Sequence, residues 1–206
     1  DNKEESDIYA LIKICYNYIF AMRCELAKKT CGVNSLIISS YFVEQPVRLL
    51  ELSAYMVCCA LQPAHRILAL RSSMALAYKM NDFIYAAFFA KKIVTVAEVI
   101  SLSFLLNLVG NPNATKPEVV ENAKKIYSVC EQKGQNEHKI EFEESWLYDD
   151  DAIQKICAKS LKLIKGKEIR KDALVKASYS AEFDGQVDDI SGVCKIGAEC
   201  LGLKLY

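Results

Sequence analysis

The chain's 206 residues are 52% apolar and 25% charged, with eight glycines and four prolines, which excludes disordered, collagenous and low-complexity classes. Lys plus Arg equals Asp plus Glu at 26 each, so the basic excess of a nucleic-acid binder is missing. The charge is uneven: residues 141–151 hold six acids and 155–176 eight basic residues, as solvated faces or as a two-signed docking surface.

Residues 8–29 place Ile8, Leu11, Ile12, Cys15, Tyr18, Ile19 and Met22 on a helical stripe. Arg48–Ala60 reads as a second apolar helix. Gln62-Pro63 opens a third, with the proline at an early position where its missing N–H costs nothing, and Ile67, Leu70, Met74 and Tyr78 form its stripe. Asn81-Asp82 breaks and re-caps the chain. The next helix carries Phe83, Ala86, Ala87, Ala90, Ile93 and Val94, with small residues where a neighbour must come close. This tight pair is of the tetratricopeptide type. The run Val96–Val109, interrupted by Glu98 and Asn107, is too short to span a bilayer. Gly110–Pro117 reads as a linker of turn formers. Pro117 starts a helix with Val120, Ala123, Ile126, Tyr127 and Cys130 on one face, and Gly134 ends it.

The period then changes. Residues 139–143 (Lys-Ile-Glu-Phe-Glu) alternate strictly, the mark of a strand with one wet face. Gly185, Gly192, Gly197 and Gly202 punctuate short apolar runs as in a small β unit. By spacing alone, residues 151–164 form a helix with Ile153, Ile156, Cys157, Leu161 and Ile164 on one side.

Nothing converges toward catalysis. The two histidines, His65 and His138, stand apart, and no phosphate loop, nucleophile elbow or His-Glu-x-x-His motif is present. Nine cysteines occur. Cys15, Cys24, Cys58, Cys59 and Cys130 sit among helix-patterned apolar residues and read as small hydrophobes. The odd count in a core-forming chain points to a reducing compartment, where the triplet Asn113-Ala114-Thr115 is never glycosylated. Cys157, Cys194 and Cys200 lack the paired spacing of structural zinc. The chain shows no signal peptide, and its start at Asp1 without Met points to a piece of something longer. Trp146 and Tyr148 flank the acidic run, where Trp146 serves either as a partner anchor or as packing for the cap.

Several segments resemble the C-terminal region of the coatomer alpha subunit. They are Leu61-Gln62-Pro63-Ala64-His65-Arg66-Ile67-Leu68-Ala69-Leu70-Arg71, the turn Asn81-Asp82-Phe83 with Ala86-Ala87-Phe88-Phe89-Ala90, Tyr179-Ser180-Ala181-Glu182-Phe183-Asp184-Gly185-Gln186, and Ile196-Gly197-Ala198-Glu199-Cys200-Leu201-Gly202-Leu203. Ile14-Cys15-Tyr16-Asn17-Tyr18-Ile19 agrees as well. The sequence departs from the family at Ala181, where a proline is usual. Where the family often carries several cysteines, only Cys157 matches, with Asp172, Ser178 and Asp188 at the other places. The resemblance also reads residues 156–173 as a β-hairpin turning at Lys165-Gly166-Lys167, against the helical spacing. The hairpin is the reading adopted, because tertiary pairing overrides local propensity.

The expected fold is α+β and mainly α: antiparallel, tetratricopeptide-like helix pairs over residues 1–137, then a small β cap with a hairpin over 138–206. The resemblance implies a non-catalytic assembly module of the COPI vesicle coat, serving Golgi-to-ER and intra-Golgi transport. It also implies binding to the epsilon subunit, a tetratricopeptide solenoid, and to other coatomer subunits through the rest of the alpha subunit. The expected location is cytoplasmic, peripheral on Golgi membranes and coated vesicles. No cofactor, metal, nucleic acid or direct membrane insertion is expected. The competing class is a free-standing helical-repeat adaptor that captures peptide motifs. Expected partner contacts lie in residues 156–175, chiefly Leu161, Leu163, Ile164, Lys165 and Lys167, with Trp146 as a further anchor.

Overall fold

Helix α1 (Asn2–Asn34) is followed by α2 (Glu44–Val57), α3 (Pro63–Lys79), α4 (Phe83–Leu105) and α5 (Pro117–Lys133) in the computed structural model, which describes residues 2–34, 44–105, 116–166 and 168–198. The linker expected over 110–117 falls mostly outside these residues. Each helix packs antiparallel against its sequence neighbour, α1 on α2, α2 on α3, α3 on α4 and α4 on α5. The starts and stops follow local chemistry. Pro63 and Pro117 open α3 and α5, and Gly134, at φ 56°, donates its N–H to Cys130 O at 3.0 Å to close α5. The Asn81-Asp82 turn works differently from a simple N-cap. The α4 donors of Ile84 and Tyr85 go to Asn136 Oδ1 (2.9 and 3.3 Å), and Phe83 N donates to Gln135 O. The buried Asp82 carboxylate instead accepts from His138 N at 2.7 Å and pairs with His138 Nδ1 at 3.1 Å. The chain leaving α5 thus caps α4 from outside.

The small residues expected at a close contact are where the helices meet. Ala86, Ala87 and Ala90 are buried, beside Phe89 and Ile93. In α1 the helix is as expected but its buried side is not. Tyr16, Asn17, Phe20, Ala21 and Cys24 face the core, while Ile8, Leu11, Cys15, Ile19 and Met22 stay exposed. Periodicity finds an apolar face; it does not say which of two such faces meets the neighbour. Two side chains lock the chosen side: Asn17 Oδ1 accepts from Ala60 N at 2.7 Å, and Tyr18 Oη accepts from Gln62 N at 3.2 Å.

The cap departs most from expectation. Residues 139–143 have the predicted alternation, with Ile140 and Phe142 buried and Lys139, Glu141 and Glu143 exposed. They pair with no strand among the described residues. Their backbone is held by helix side chains instead, Ile140 N by Tyr85 Oη and Glu141 N by Glu51 Oε1. Residues 151–164 form neither the helix nor the adopted hairpin. Ala152–Lys155 is one 3-10 turn. The chain then reverses at 158–161, with Ile156 bridged to Leu163 and Cys157 N donating to Lys162 O at 2.8 Å. The two-stranded sheet is β1 (Ile169–Lys171) antiparallel to β2 (Ser178–Ser180), turning at 172–177. Both turns therefore lie away from Lys165-Gly166-Lys167. The reason is in the backbone: Leu161 (φ 56°) and Lys176 (φ 59°) take the left-handed conformation that usually marks a glycine.

The α3–α4–α5 packing makes a direct prediction. Replacing the fully buried Ala86 with Phe overpacks the contact and costs about 1–3 kcal/mol, read as a lower melting temperature. An unchanged melting temperature refutes the close approach.

Candidate partner-binding surface

The cap is seated on the helices by aromatic packing. Trp146 is 6% exposed. Its ring stacks on Tyr55 of α2 at 6.4 Å and meets Phe142 edge-on at 6.0 Å, and Phe142 in turn contacts Tyr85 and Phe89 of α4. Polar clasps surround this plug. Arg66 Nη2 donates to Leu147 O at 3.0 Å, Lys92 Nζ sits 3.8 Å over the Tyr148 ring, and Arg48 Nη2 donates to Leu161 O at 2.8 Å and Ser160 O at 3.3 Å. Burial pushes the Lys92 ammonium below the usual lysine range, opposed by the nearby Asp150 charge. At the rim, Arg23 and Lys159 both reach Asp189 (3.1 and 3.3 Å).

These contacts decide what the expected interface residues face. Trp146 and Leu161 are buried within the chain, Leu161 beneath the 158–161 turn. Leu163 and Ile164 are half-buried against the core. Lys165 is exposed and pairs with Glu141 at 2.8 Å, which holds its pKa above the usual lysine value. Lys167 lies outside the described residues. Among the described residues, the outward large apolar side chains of the cap are Tyr148, Ile169, Val187 and Val193, the last three of which no sequence pattern singled out. The acidic and basic blocks also meet each other, through Lys165–Glu141 and Lys155–Asp149 (3.0 Å), so much of their charge is matched inside the chain.

The reactive side chains have structural partners. His65 Nδ1 is 2.8 Å from Tyr18 Oη, and His138 serves the Asp82 contact. Burial pushes the Cys24 and Cys58 thiols up to about 12 and holds the Cys59 thiol well above its ordinary value, which disfavours the thiolate that nucleophiles and metal ligands require. Burial would raise Cys157 as well, but hydrogen bonds from Ser160 and Ser180 outweigh it and bring the thiol below its ordinary value. Among the described residues no group of three or more His, Cys, Asp or Glu side chains is placed to hold a metal ion. No described helix is long and apolar enough to cross a membrane.

Three of the open clefts among the described residues border α1, α2 or the cap. One of about 410 Å³ lies between α1 and the cap, lined by Tyr9, Ile12, Lys13, Asp151 and Leu174. A second, about 530 Å³, is polar and lies between α2 and the cap at Arg48, Glu51, Lys162 and Lys165. The third, also about 530 Å³, is apolar and lies between α1 and α3 at Met22, Met56, Leu61 and Leu68.

The family model that describes the C-terminus of the coatomer (COPI) alpha subunit matches residues 1–206. Coatomer subunit alpha of Dictyostelium discoideum is 30% identical over 207 residues, covering all of this chain and 15% of that protein. Coatomer subunit alpha of Saccharomyces cerevisiae is 25% identical over 206 residues, again all of this chain and 14% of that protein. The chain thus spans about one-seventh of the length of these curated relatives.

Two measurements check the geometry. At pH 8, a thiol reagent added to the folded protein should modify the exposed Cys15 readily and Cys24, Cys58 and Cys59 only on denaturation; rapid labelling of Cys59 contradicts its burial. Asp188 accepts Tyr179 Oη, Ile190 N at 3.0 Å and Ser191 N. Asp188→Ala strands these donors and should cost about 2 kcal/mol or more, a fall in melting temperature of roughly 4–8 °C. Asp188→Asn, which keeps an acceptor, should lose less.

Proposed function

We propose, since this chain belongs to the family defined by the C-terminus of the coatomer (COPI) alpha subunit, that it is a non-catalytic assembly module of the vesicle coat and binds the epsilon subunit. The observation that carries the reading is the family match over the whole length. A structural role for the buried cysteines and the histidines supports this reading: burial raises the Cys24, Cys58 and Cys59 thiols well above their ordinary value, and His65 and His138 are hydrogen-bonded to Tyr18 and Asp82. On this reading the protein acts in the cytoplasm, on Golgi membranes and coated vesicles in Golgi-to-ER and intra-Golgi transport, and meets other coat subunits through the rest of the alpha subunit.

The epsilon contact is proposed within residues 156–175. Leu163 and Ile164, half-buried, and Ile169, exposed on β1, would supply the apolar contact. Lys162 and Lys165 would favour encounter with an acidic rim. Leu161 and Trp146 would support the turn from below and touch no partner. A tetratricopeptide solenoid presents a concave face of the kind that wraps such a projection.

The test replaces two exposed residues, Lys165→Glu with Ile169→Asp, and titrates purified epsilon subunit by calorimetry. Binding should weaken at least about tenfold, about 1.4 kcal/mol, with the melting temperature preserved. Full-strength binding by the folded double variant places the contact elsewhere.

A further inference from the structure

The outward faces of the first and last described helices differ in kind. On α5 that face carries Glu121, Asn122, Lys124, Lys125 and Ser128, all exposed, with Val129 as the large apolar side chain exposed among them, a mainly polar coat of the kind a terminal helix of a stacked array needs for solubility. On α1 the side opposite Tyr16, Phe20 and Cys24 carries Leu11, Cys15, Ile19, Met22 and Leu26 at steps of three and four. Leu11 is 60%, Met22 57% and Leu26 66% exposed. The stripe continues into the apolar cleft between α1 and α3, where Leu68 is 63% exposed. A helix that is apolar on two opposed faces belongs in the interior of an assembly.

Length points the same way. With 33 residues against 14, α1 runs about 50 Å and α2 about 21 Å at the helical rise. From Lys3 to Cys15 only Ile12 is even half-buried. A helical stretch of that length with so little tertiary contact is marginal in water.

The fold indicates what covers this face. Every described helix packs antiparallel on its sequence neighbour, and the family match is to a C-terminus that makes up only 14–15% of the relatives. We propose that α1 is an internal helix of a longer array, and that an amphipathic helix of the same polypeptide, N-terminal to α1 in the complete subunit, lies antiparallel over Leu11, Cys15, Ile19, Met22 and Leu26. The inference is independent of the epsilon contact proposed for the cap.

Cys15 is a reporter built into the stripe, because it is exposed while Cys24, Cys58 and Cys59 are buried. Its rate of maleimide labelling is measured by peptide mass spectrometry in the 206-residue chain at low concentration, in the complete alpha subunit alone, and in that subunit bound to its coat partners. The proposal expects fast labelling in the first and labelling slowed about tenfold or more in the second. Protection only in the third assigns the face to a partner subunit and overturns the proposal. Protection in the short chain that rises with concentration, with a doubled mass by light scattering, assigns it to a second copy and overturns it too. Fast labelling in all three leaves the face uncovered and likewise overturns it. Leu11→Glu gives the companion result: the short chain's melting temperature holds, while labelling of Cys15 in the complete subunit becomes fast.

Discussion

The seating of Trp146 between Tyr55 and Phe142 is the contact on which the rest of the chain's C-terminal third depends. A two-stranded sheet of three-residue strands has no independent stability. The cap persists because Ile140, Phe142, Trp146, Leu147, Ile153 and Ile156 insert into the same core as Phe89, Leu70 and Leu52 of the helices. The stretches 1–137 and 138–206 differ in sequence period yet bury one shared core. That arrangement also explains why 139–143 keeps a strand's alternation without a strand's ladder. The helices supply both the apolar floor and, through Tyr85 and Glu51, the acceptors for its backbone donors.

The helices were legible because their signals are local. Pro63, Pro117 and Gly134 mark termini by backbone geometry alone, and Ala86, Ala87 and Ala90 announce a close neighbour by size. The orientation of α1 was not legible, because both of its faces are apolar and the choice is made by Asn17 and Tyr18 reaching the α2–α3 connection. That is long-range information, and no window along α1 contains it. The capping of α4 fails for the same reason: its acceptor, Asn136, lies 52 residues from the donor it satisfies.

The candidate surface was half legible. The resemblance pointed to a hairpin over 156–173 turning at Lys165-Gly166-Lys167, whereas the chain turns at 158–161 and at 172–177, with Leu161 and Lys176 in the left-handed conformation. A leucine enters the left-handed region at a cost that its surroundings must offset. Here Leu161 is 6% exposed, and Arg48 takes its carbonyl from across the molecule. Burying Leu161 removes it from any partner's reach and leaves its half-buried neighbours Leu163 and Ile164 nearer the surface. An apolar run read as a binding edge was therefore divided by the fold, one residue to the core and the next ones toward the rim.

The same economy governs the positions where the resemblance sets aspartate or serine in place of cysteine. Asp188 gathers the N–H groups of Ile190 and Ser191 and the Tyr179 hydroxyl. Asp172 takes the N–H of Val175 at the β1–β2 turn, and Ser178 donates to Gln154. Cys157 Sγ accepts from Ser180 N at 3.4 Å. The two aspartates fasten the turns in which they sit, with charge-assisted hydrogen bonds stronger than neutral ones, while Ser178 and Cys157 tie β2 to the 154–157 segment. What unites them is the plane of packing beneath, where Tyr179, Ile190 and Ile196 join the helical core. The cap's outline is thus set by local polar contacts, and its position on the body by aromatic burial.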